Sequence, residues 1–571
     1  MRISIVKSKN AKSIYIIKYV GGNKSYSSTI HKKLGTMAEL MKSKNMSEEE
    51  VLAWAKAQAK KETELYKKDT AVIRIDYPSS EKIDSNNSNL YNCGYLFLQS
   101  IYNELGLDDI CKSIKSKYKI EYDFNNVLSR LLYTRILYPG SKYSSYEASK
   151  KFIEKPEFDL HQIYRALDVI AKENINIQSQ IYKNSLKKIN RNTGVLYYDC
   201  TNYFFEVEEA SGMKQYGVSK EHRPNPIVQM GLFMDGDGLP LAFCINPGNQ
   251  NEQLSMKPLE ENIIKDFNLS KFIVCTDAGL ASNSNRIFNA KGPRSYIVTQ
   301  SLKKLNKHLK EWALNPTEWK LRGSDRLYDI SDINEEAHYK DIFYKETWIN
   351  DNDIEQRLIV TYSVKYKNYQ QRIRKGQVER AIKTVERNSC LKHNKPNDPA
   401  RFIDEDHYTK NGEVAENVAL DLNMEAIVKE AMFDGYYGVC TTLEDDVESI
   451  IKINQGRWEI EESFRIMKTE FKARPIYLSR DNRIKAHFVT CYLSLLLERI
   501  LEKKLDNKYT TRTIINTIKD MQVSRDNGYD YIPHYQLTDC AKDIQEVFGY
   551  KLDTKIIPDA RMKKILKQSK K

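Results

Sequence analysis

Alternating apolar and polar positions open the chain and predict a β-hairpin. Residues 2–7 (RISIVK) and 13–20 (SIYIIKYV) both alternate, and the polar stretch SKNAK separates them. Residues 48–67 then have the polar, periodic pattern of an exposed helix that begins after Ser47. We therefore predict a small N-terminal module of hairpin and helix over residues 1–75, with a polar linker at 69–89.

Helical spacing of apolar residues dominates the next hundred positions. The segments YLFLQSIYNEL, NNVLSRLLYTRIL and HQIYRALDVIAKE each repeat apolar residues at intervals of three or four. Residues 90–190 are therefore predicted to be an all-helical region of four or five helices.

At Gly194 the periodicity changes to that of a sheet. GVLYYDCTNYFFE predicts a first strand, and PIVQMGLFMD and LPLAFCINPG predict a hairpin around a glycine-rich turn. FIVCTDAG and SYIVTQ predict two further strands, each preceded by a helical segment. The order β-β-β-α-β-α-β over residues 194–300 indicates the first part of a mixed sheet covered by helices.

The pattern is interrupted at residues 301–432. Short strand-like runs, a basic helix and a polar tract predict an inserted, β-containing domain with its own small fold. A strand and one long helix, DDVESIIKINQGRWEIEESFRIMKTEF, then return to the core at 433–505. Residues 506–571 are predicted to form a basic helical tail, so the fold class is multidomain α/β.

Composition indicates a soluble protein of a reducing compartment. Hydrophobic residues make up 41% of the chain and charged residues 29%, and the mean hydropathy is −0.62. The nine cysteines form no C-x-x-C pair, which argues against a zinc ribbon or a disulfide framework. The most apolar helical stretch, Tyr492 to Leu497, is too short to cross a bilayer. We therefore expect a cytoplasmic protein without a membrane partner.

The net charge of +13 lies at the two ends of the chain. Residues 1–80 carry 16 basic and 8 acidic side chains, and residues 540–571 carry 9 basic and 4 acidic ones. Such ends are typical of arms that bind a polyanion such as nucleic acid. A Lys-rich composition that serves solubility is the alternative.

Two aspartates interrupt or end apolar strands of the predicted sheet. Asp199 lies within VLYYDCTNYFFE, and Asp277 ends FIVCTD. An unpaired buried carboxylate costs several kcal/mol, on the order of a domain's whole stability. A hard divalent cation with oxygen ligands, Mg²⁺ or Mn²⁺, would neutralise both groups. Each Asp taken alone also fits a turn or a helix N-cap.

The long predicted helix supplies a third carboxylate. At 100° per residue, Glu461 lies at the edge of the apolar stripe, together with Asn454 and Lys468 seven residues away. Arg457 and Arg465, each four residues away, lie on the same polar seam. An ordinary surface glutamate in an ion pair is the alternative for Glu461.

These segments together resemble the DDE transposases of bacterial insertion sequences. YYDCTNYFF, IVCTDAGLAS and NQGRWEIEESFRIMK carry the resemblance, which runs from about Leu90 to about Leu505. The third segment is similar to the Tyr-x2-Arg-x3-Glu-x6-Lys helix of one subgroup, with Asn454 at the Tyr position. That subgroup has an insertion domain between its second Asp and its Glu, as residues 301–432 would provide.

The resemblance implies a ribonuclease-H-like core in which Asp199, Asp277 and Glu461 are the catalytic residues. It also implies that these three carboxylates hold two Mg²⁺ or Mn²⁺ ions per active site. Such ions activate water and stabilise the leaving 3′-oxygen of a phosphodiester. No Ser, Tyr or Cys nucleophile is then required.

The implied function is cut-and-paste DNA transposition by a homodimer. The enzyme would bind terminal inverted repeats through the N-terminal module and the helical region, cut there, and join the ends to target DNA. Arg457, Arg465 and Lys468 would bind DNA phosphates beside the metal ions. The expected location is the nucleoid of a bacterial or archaeal cytoplasm.

Two other functions fit parts of the sequence. A catalytically inactive DNA-binding protein derived from a transposase would accommodate Asn454 in place of Tyr. An unrelated carboxylate hydrolase, such as a glycosidase with an acid/base pair, would use the acidic residues without a metal ion. His487, which begins an apolar helix, is predicted to have a capping or buried structural role.

Overall fold

The computed structural model of the chain describes residues 1–8, 11–22, 25–69, 89–351, 354–387, 398–408, 417–525 and 530–571. These residues belong to two compact units, Met1–Asn87 and Ser88–Lys571. Most of the predicted linker at 69–89 lies outside the described residues. Among the helices in the described ranges, none has both the length and the apolarity needed to span a membrane.

The first unit is a three-stranded antiparallel sheet with two helices. Its elements are β1 (Arg2–Lys7), β2 (Lys12–Gly22), β3 (Ser25–Thr36), α1 (Met37–Lys44) and α2 (Glu48–Asp69). Among its described residues, one buried apolar cluster contains Ile14, Met37, Leu40, Val51 and Ala55. The hairpin and the long helix follow the sequence pattern, whereas that pattern does not predict β3, because its residues, SYSSTIHKKLGT, contain few apolar side chains.

The second unit begins with a short strand and six helices. These are β4 (Leu90–Asn92), α3 (Tyr95–Glu104), α4 (Leu107–Tyr118), α5 (Phe124–Leu137), α6 (Lys142–Ser149), α7 (Leu160–Lys172) and α8 (Asn174–Lys188). Apart from β4, the region is helical, and it contains one helix more than the four or five that the sequence indicated.

A ten-stranded mixed sheet forms the centre of the second unit. The next strands along the chain are β5 (Val195–Phe204), β6 (Ile227–Asp235), β7 (Pro240–Pro247), β8 (Ile273–Thr276), β9 (Ser295–Gln300), β10 (Trp319–Leu321), β11 (Ser324–Tyr328), β12 (Phe343–Asp351), β13 (Ile354–Tyr362), β14 (Ile403–Tyr408), β15 (Asn417–Leu422) and β16 (Tyr436–Thr441). The sheet order is β11-β10-β12-β13-β16-β9-β8-β5-β6-β7. The β5–β8 and β8–β9 pairs are parallel and the other pairs are antiparallel. The mixed sheet expected from the sequence is thus present.

The remaining elements lie around this sheet or follow it. They are α9 (Gln253–Asp266), α10 (Asn283–Asn289), α11 (Lys307–Leu314), α12 (Val364–Glu386), α13 (Met424–Ala431), α14 (Val447–Gln455), α15 (Trp458–Thr469), α16 (Asp481–Lys504), α17 (Thr511–Asp520), β17 (Gln522–Ser524), β18 (Ile532–Pro533), α18 (Asp539–Phe548) and α19 (Asp559–Gln568), with 3₁₀ turns at Leu302–Lys304 and Pro399–Phe402.

Both faces of β5 are covered by helices. Successive side chains of the strand point to opposite faces, so neighbouring residues pack against different helices. Tyr198 and Cys200 pack in one cluster with residues of α9. Tyr203, on the opposite face, packs in the large cluster that includes α15 and α16. Asp199 is on the same face as Tyr203, so the strand directs this carboxylate toward the α15 side of the sheet.

Two parts of the chain are joined to the core more closely than their sequence patterns indicated. Strands β10–β13, within residues 301–432, extend the core sheet through β16, whereas β14 and β15 pair only with each other among the described strands. Helices α17–α19 contribute to the same hydrophobic core as α3 and α5. The edge of β9 would be unpaired without β16, and this explains why the inserted strands join the core sheet. The apolar faces of α17–α19 have to be buried, and this explains why these helices pack on the core.

Candidate active site

The site begins with two carboxylates at equivalent positions on adjacent parallel strands. Tyr197 of β5 is in register with Cys275 of β8, and Asp199 and Asp277 each follow two residues later. Asp277 lies just past the end of β8, where its Oδ1 accepts a hydrogen bond from the Leu280 amide at 3.0 Å. The sheet register therefore brings together two aspartates that are far apart in the sequence.

Burial and charge both act on Asp199. Burial of its partly enclosed carboxyl raises the pKa to about 6, and the charge of Asp277 adds to that rise. Lys220 and Arg457 act in the opposite direction. The site thus holds an aspartate that is costly to ionise, next to a second carboxylate.

The long helix predicted to carry Glu461 is divided at Gly456 into α14 and α15. The side chain of Glu461 is 65% exposed, and its Oε1 lies 4.0 Å from a guanidinium nitrogen of Arg457. Within the part of the chain that the structure describes, no three His, Cys, Asp or Glu side chains are grouped to hold a metal ion. The structure therefore brings Asp199 and Asp277 together and leaves Glu461 outside that pair.

Lys468 extends from α15 toward β5. Its ammonium donates a hydrogen bond to Thr201 Oγ1 at 2.6 Å, and the side chain is only 15% exposed. Burial and the nearby charge of Lys220 lower its pKa to about 8, against the influence of Asp199. Lys468 thus lies close enough to Asp199 to interact with its charge.

The two arginines named from the sequence have different surroundings. Arg457 donates to Thr299 Oγ1 of β9 at 3.0 Å and influences Asp199 electrostatically. Arg465 is 68% exposed and forms a bidentate ion pair with Glu462 on its own helix. Arg457 belongs to the site, whereas Arg465 points to solvent.

Sequence reasoning missed two charged residues in the segment YGVSKEHRPNP. The Lys220 ammonium donates to the Cys200 carbonyl, and Glu221 lies 3.7 Å from the Lys468 ammonium and pairs with Arg474. Nothing in the periodicity of this segment marks it as part of a site. Its polar composition is that of a loop, and only tertiary contacts give it a position.

Asn454, which the resemblance aligns with a tyrosine, contacts the sheet. Its amide nitrogen is 3.3 Å from the hydroxyl of Tyr437, and its Oδ1 accepts a weak hydrogen bond from Cys275. A tyrosine hydroxyl is thus present next to this position, but it comes from β16. His487 is buried and donates its Nε2–H to the Ala473 carbonyl at 3.1 Å, which confirms a structural role.

A large mixed sheet thus carries two carboxylates at equivalent positions on adjacent parallel strands. The family model described as "Transposase DDE domain" matches residues 203–497, just over half of the chain. The chain therefore belongs to the DDE transposase family. The matched range contains Asp277 and Glu461 and begins four residues after Asp199.

Comparisons with individual proteins add little to this assignment. No curated protein sequence matches the chain significantly. Among solved structures, the piggyBac transposase in a synaptic complex with hairpin DNA is similar with 7% identity and a TM-score of 0.38. The similarity covers 83% of this chain and 85% of that one. A likeness at this level supports no inference about this chain.

Proposed function

We propose that this protein is a cut-and-paste DNA transposase that binds terminal inverted repeats and carries out metal-dependent phosphodiester hydrolysis and strand transfer. The main support is the placement of Asp199 and Asp277 at equivalent positions on adjacent parallel strands, in a chain of the DDE transposase family. We further propose that it acts as a homodimer on DNA in the cytoplasm of a bacterium or archaeon.

The donor set fits a hard divalent cation. Two carboxylates lie together, and the raised pKa of Asp199 reflects a buried negative charge that a cation would relieve. We propose that Asp199, Asp277 and Glu461 hold Mg²⁺ or Mn²⁺, two ions per site. The exposed Glu461 makes no ion pair closer than 4.0 Å among the described residues, so its side chain is free to reorient. When bound, such ions activate water and stabilise the leaving oxygen.

The basic side chains near the carboxylates would bind phosphates of the DNA strand. Arg457 and Lys468 approach the end of β5 from the α15 side, where each can donate hydrogen bonds to a phosphate oxygen. A phosphate beside Lys468 would also offset the burial that lowers its pKa, and so keep the ammonium charged. Arg465 remains a weaker candidate, because it would first have to leave Glu462.

The first prediction is that the three carboxylates are required for DNA cleavage. The substrate is a duplex from the DNA that flanks the gene, and cleavage is measured in Mg²⁺. Asp199→Asn, Asp277→Asn and Glu461→Gln should each lower the rate at least about 1,000-fold, since each removes a metal ligand. EDTA should abolish cleavage by the wild type.

The matched control is Glu462→Gln on the same helix. Glu462 pairs with the exposed Arg465, so its loss should leave cleavage within about twofold of wild type. Full activity of the Asp199→Asn or the Asp277→Asn variant would disprove the proposed site.

The inactive DNA-binding protein remains a second candidate, because Glu461 lies apart from the two aspartates and Asn454 replaces the signature tyrosine. It predicts sequence-specific binding to the ends with no Mg²⁺-dependent cleavage by the wild type. The cleavage assay in Mg²⁺ therefore decides between an active transposase and an inactive DNA-binding protein. The family match gives no support to the glycosidase alternative.

A further inference from the structure

A separate cavity of about 450 Å³ lies between α5, α6 and the segment that follows α15. Arg135 and the segment 139–144 line one side, and Lys472, Arg474 and Tyr477 line another. Neither Asp199 nor Asp277 is among its lining residues in the described part of the chain. The cavity is therefore distinct from the candidate active site.

Positive charge is concentrated in this cavity. Arg135, Lys142, Lys472 and Arg474 all line it, and no Asp or Glu is among the lining residues that the structure describes. Of these four cations, Arg474 forms an ion pair with Glu221. The other three cations have no carboxylate to balance them within the described ranges.

Lys142, the first residue of α6, is the clearest case. Lys142 is 4% exposed and lines the cavity, and its ammonium forms no hydrogen bond or ion pair with any described residue. An ammonium confined in a cavity without an anionic partner is energetically unfavourable. A protein retains such a group where a ligand supplies the missing negative charge.

Arg135 adds a second buried charge next to it. This side chain is 2% exposed, and its guanidinium donates to the carbonyls of Phe471 at 3.0 Å and Gly140 at 3.1 Å. Its Nε has no hydrogen-bond partner among the described residues. Arg135 thus holds the cavity wall in place and contributes a charge that neutral carbonyls do not cancel.

The positive charges of these groups also act on one another's pKa values. Burial first, and then the charge of Arg135, lower the pKa of Lys142 to about 7. Burial and the same two cations hold the pKa of His487 well below its usual value, so the imidazole is neutral. An anion in the cavity would relieve the repulsion between Arg135 and Lys142.

Two further features favour a nucleic-acid strand over a free ion. Tyr143 and Tyr477 line the cavity and are 59% and 66% exposed, so their rings are open to stacking on bases. The N-terminus of α6, capped by Ser141, adds the positive end of a helix dipole. Through Glu221, Arg474 of this cavity is also linked to Lys468 of the candidate active site.

We propose that this cavity binds one backbone phosphate of a DNA strand through Lys142, with Tyr143 and Tyr477 stacking on adjacent bases. The identification of the strand as DNA rests on the proposed function. The inference that the cavity binds a phosphate depends only on the cavity itself. A free phosphate ion could supply that group instead of a DNA strand.

The test compares Lys142→Met with the wild-type full-length protein in EDTA, so that it does not depend on cleavage. Binding of a fluorescent 20-nucleotide single strand should weaken about tenfold, as expected when one charge-assisted hydrogen bond is removed. The slope of log affinity against log salt should fall in magnitude by about 0.7, the value for one phosphate contact on a single strand. Without DNA, the variant should melt at a higher temperature, because a buried unpaired charge is gone.

Lys187→Met is the matched control. Lys187 is exposed on α8 and lies outside the cavity, so its loss should leave the melting temperature and the strand affinity close to wild type. Tyr477→Ala should weaken binding of the strand but not the stabilisation by inorganic phosphate. Phosphate itself should raise the melting temperature of the wild type and not that of Lys142→Met.

Two results would overturn the proposal in different ways. If phosphate stabilises the wild type through Lys142 but the strand binds the Lys142→Met variant as tightly as the wild type, the cavity takes a free phosphate. If neither ligand depends on Lys142, the cavity is not an anion site. Failure of the cleavage assay with normal strand binding would refute the proposed function and leave this site intact.

Discussion

At the scale of single residues, Asp199 shows how a group of the candidate active site can lower the stability of the folded protein. Its carboxyl is partly buried next to Asp277, and its folded-state pKa of about 6 lies above the ordinary value of about 4. The native state therefore binds this proton more tightly than the unfolded chain. The contribution of Asp199 to stability is present at low pH and is lost as the pH rises through 6.

We therefore predict that Asp199→Asn stabilises the metal-free protein. At pH 7.5 in EDTA, the free energy of unfolding should rise by about 1–3 kcal/mol, because the amide is never charged. The gain should disappear near pH 3, because the carboxyl is there mostly protonated in both the folded and the unfolded state. Denaturant titrations at the two pH values measure the difference.

Asp332→Asn serves as the control for that measurement. Asp332 is exposed, so its substitution should change stability by less than about 0.5 kcal/mol at either pH. A less stable Asp199→Asn variant at pH 7.5 would show that the cations around Asp199 outweigh its burial.

At the scale of elements, the break between α14 and α15 decides where the basic side chains of the site lie. Gly456 ends α14, and the hydroxyl of Tyr197 lies so close to it that an added Cβ would overlap the oxygen. The same hydroxyl donates to the carbonyl of Ile453 at 3.0 Å. The close approach of helix and strand thus requires glycine at this position.

We predict that Gly456→Ala destabilises the protein by about 1–3 kcal/mol, the usual cost of forcing extra volume into a packed contact. It should also slow DNA cleavage, because the segment that begins at this break carries Arg457 and Lys468. Adding Tyr197→Phe should restore part of both losses, since it removes the oxygen that the methyl group meets. A double-mutant cycle, followed by thermal melts and cleavage rates, measures this coupling.

Gly376→Ala in α12 is the matched control. A Cβ at Gly376 would meet nothing within 4 Å, so alanine there should be neutral or stabilising by up to about 1 kcal/mol. Additive effects of Gly456→Ala and Tyr197→Phe would show that the two residues do not constrain each other.

At the scale of the whole molecule, charge and packing are divided between two units. The first unit, Met1–Asn87, has its own small core, and residues 1–80 carry twice as many basic as acidic side chains. The second unit is organised around α16, which is buried along most of its length. Because α16 is buried on nearly all sides, it packs against both the helical region and the sheet.

We predict that residues 88–571 fold without the first unit. The fragment should unfold in one cooperative transition but bind duplex DNA more weakly, with a salt slope reduced by about 0.9 for each phosphate that the first unit would neutralise. Calorimetry and binding titrations at low and moderate salt, with the whole chain as reference, test this. An unchanged slope would mean that the basic residues of the first unit do not contact DNA.

Local patterns in the sequence were sufficient for most of the elements. The largely apolar runs of β5 and β6 and the three-to-four-residue period of α3 to α8 are properties of nearby residues, so they can be recognised without a fold. Asp199 and Asp277 can be recognised for the same reason, because each stands where an apolar strand should continue. The division at Gly456 could not be found, since its cause, the Tyr197 hydroxyl, is more than 250 residues away.

The sequence by itself determined the two aspartates, the mixed sheet, the helical region and the basic ends, because each is encoded in a short run of residues. Tertiary structure alone decided that β10–β13 continue the core sheet, that Glu461 lies apart from Asp199, and that Lys142 is buried with no ionic partner among the described residues. Burial and charge balance depend on neighbours brought together by folding, and no pattern along the chain records those neighbours.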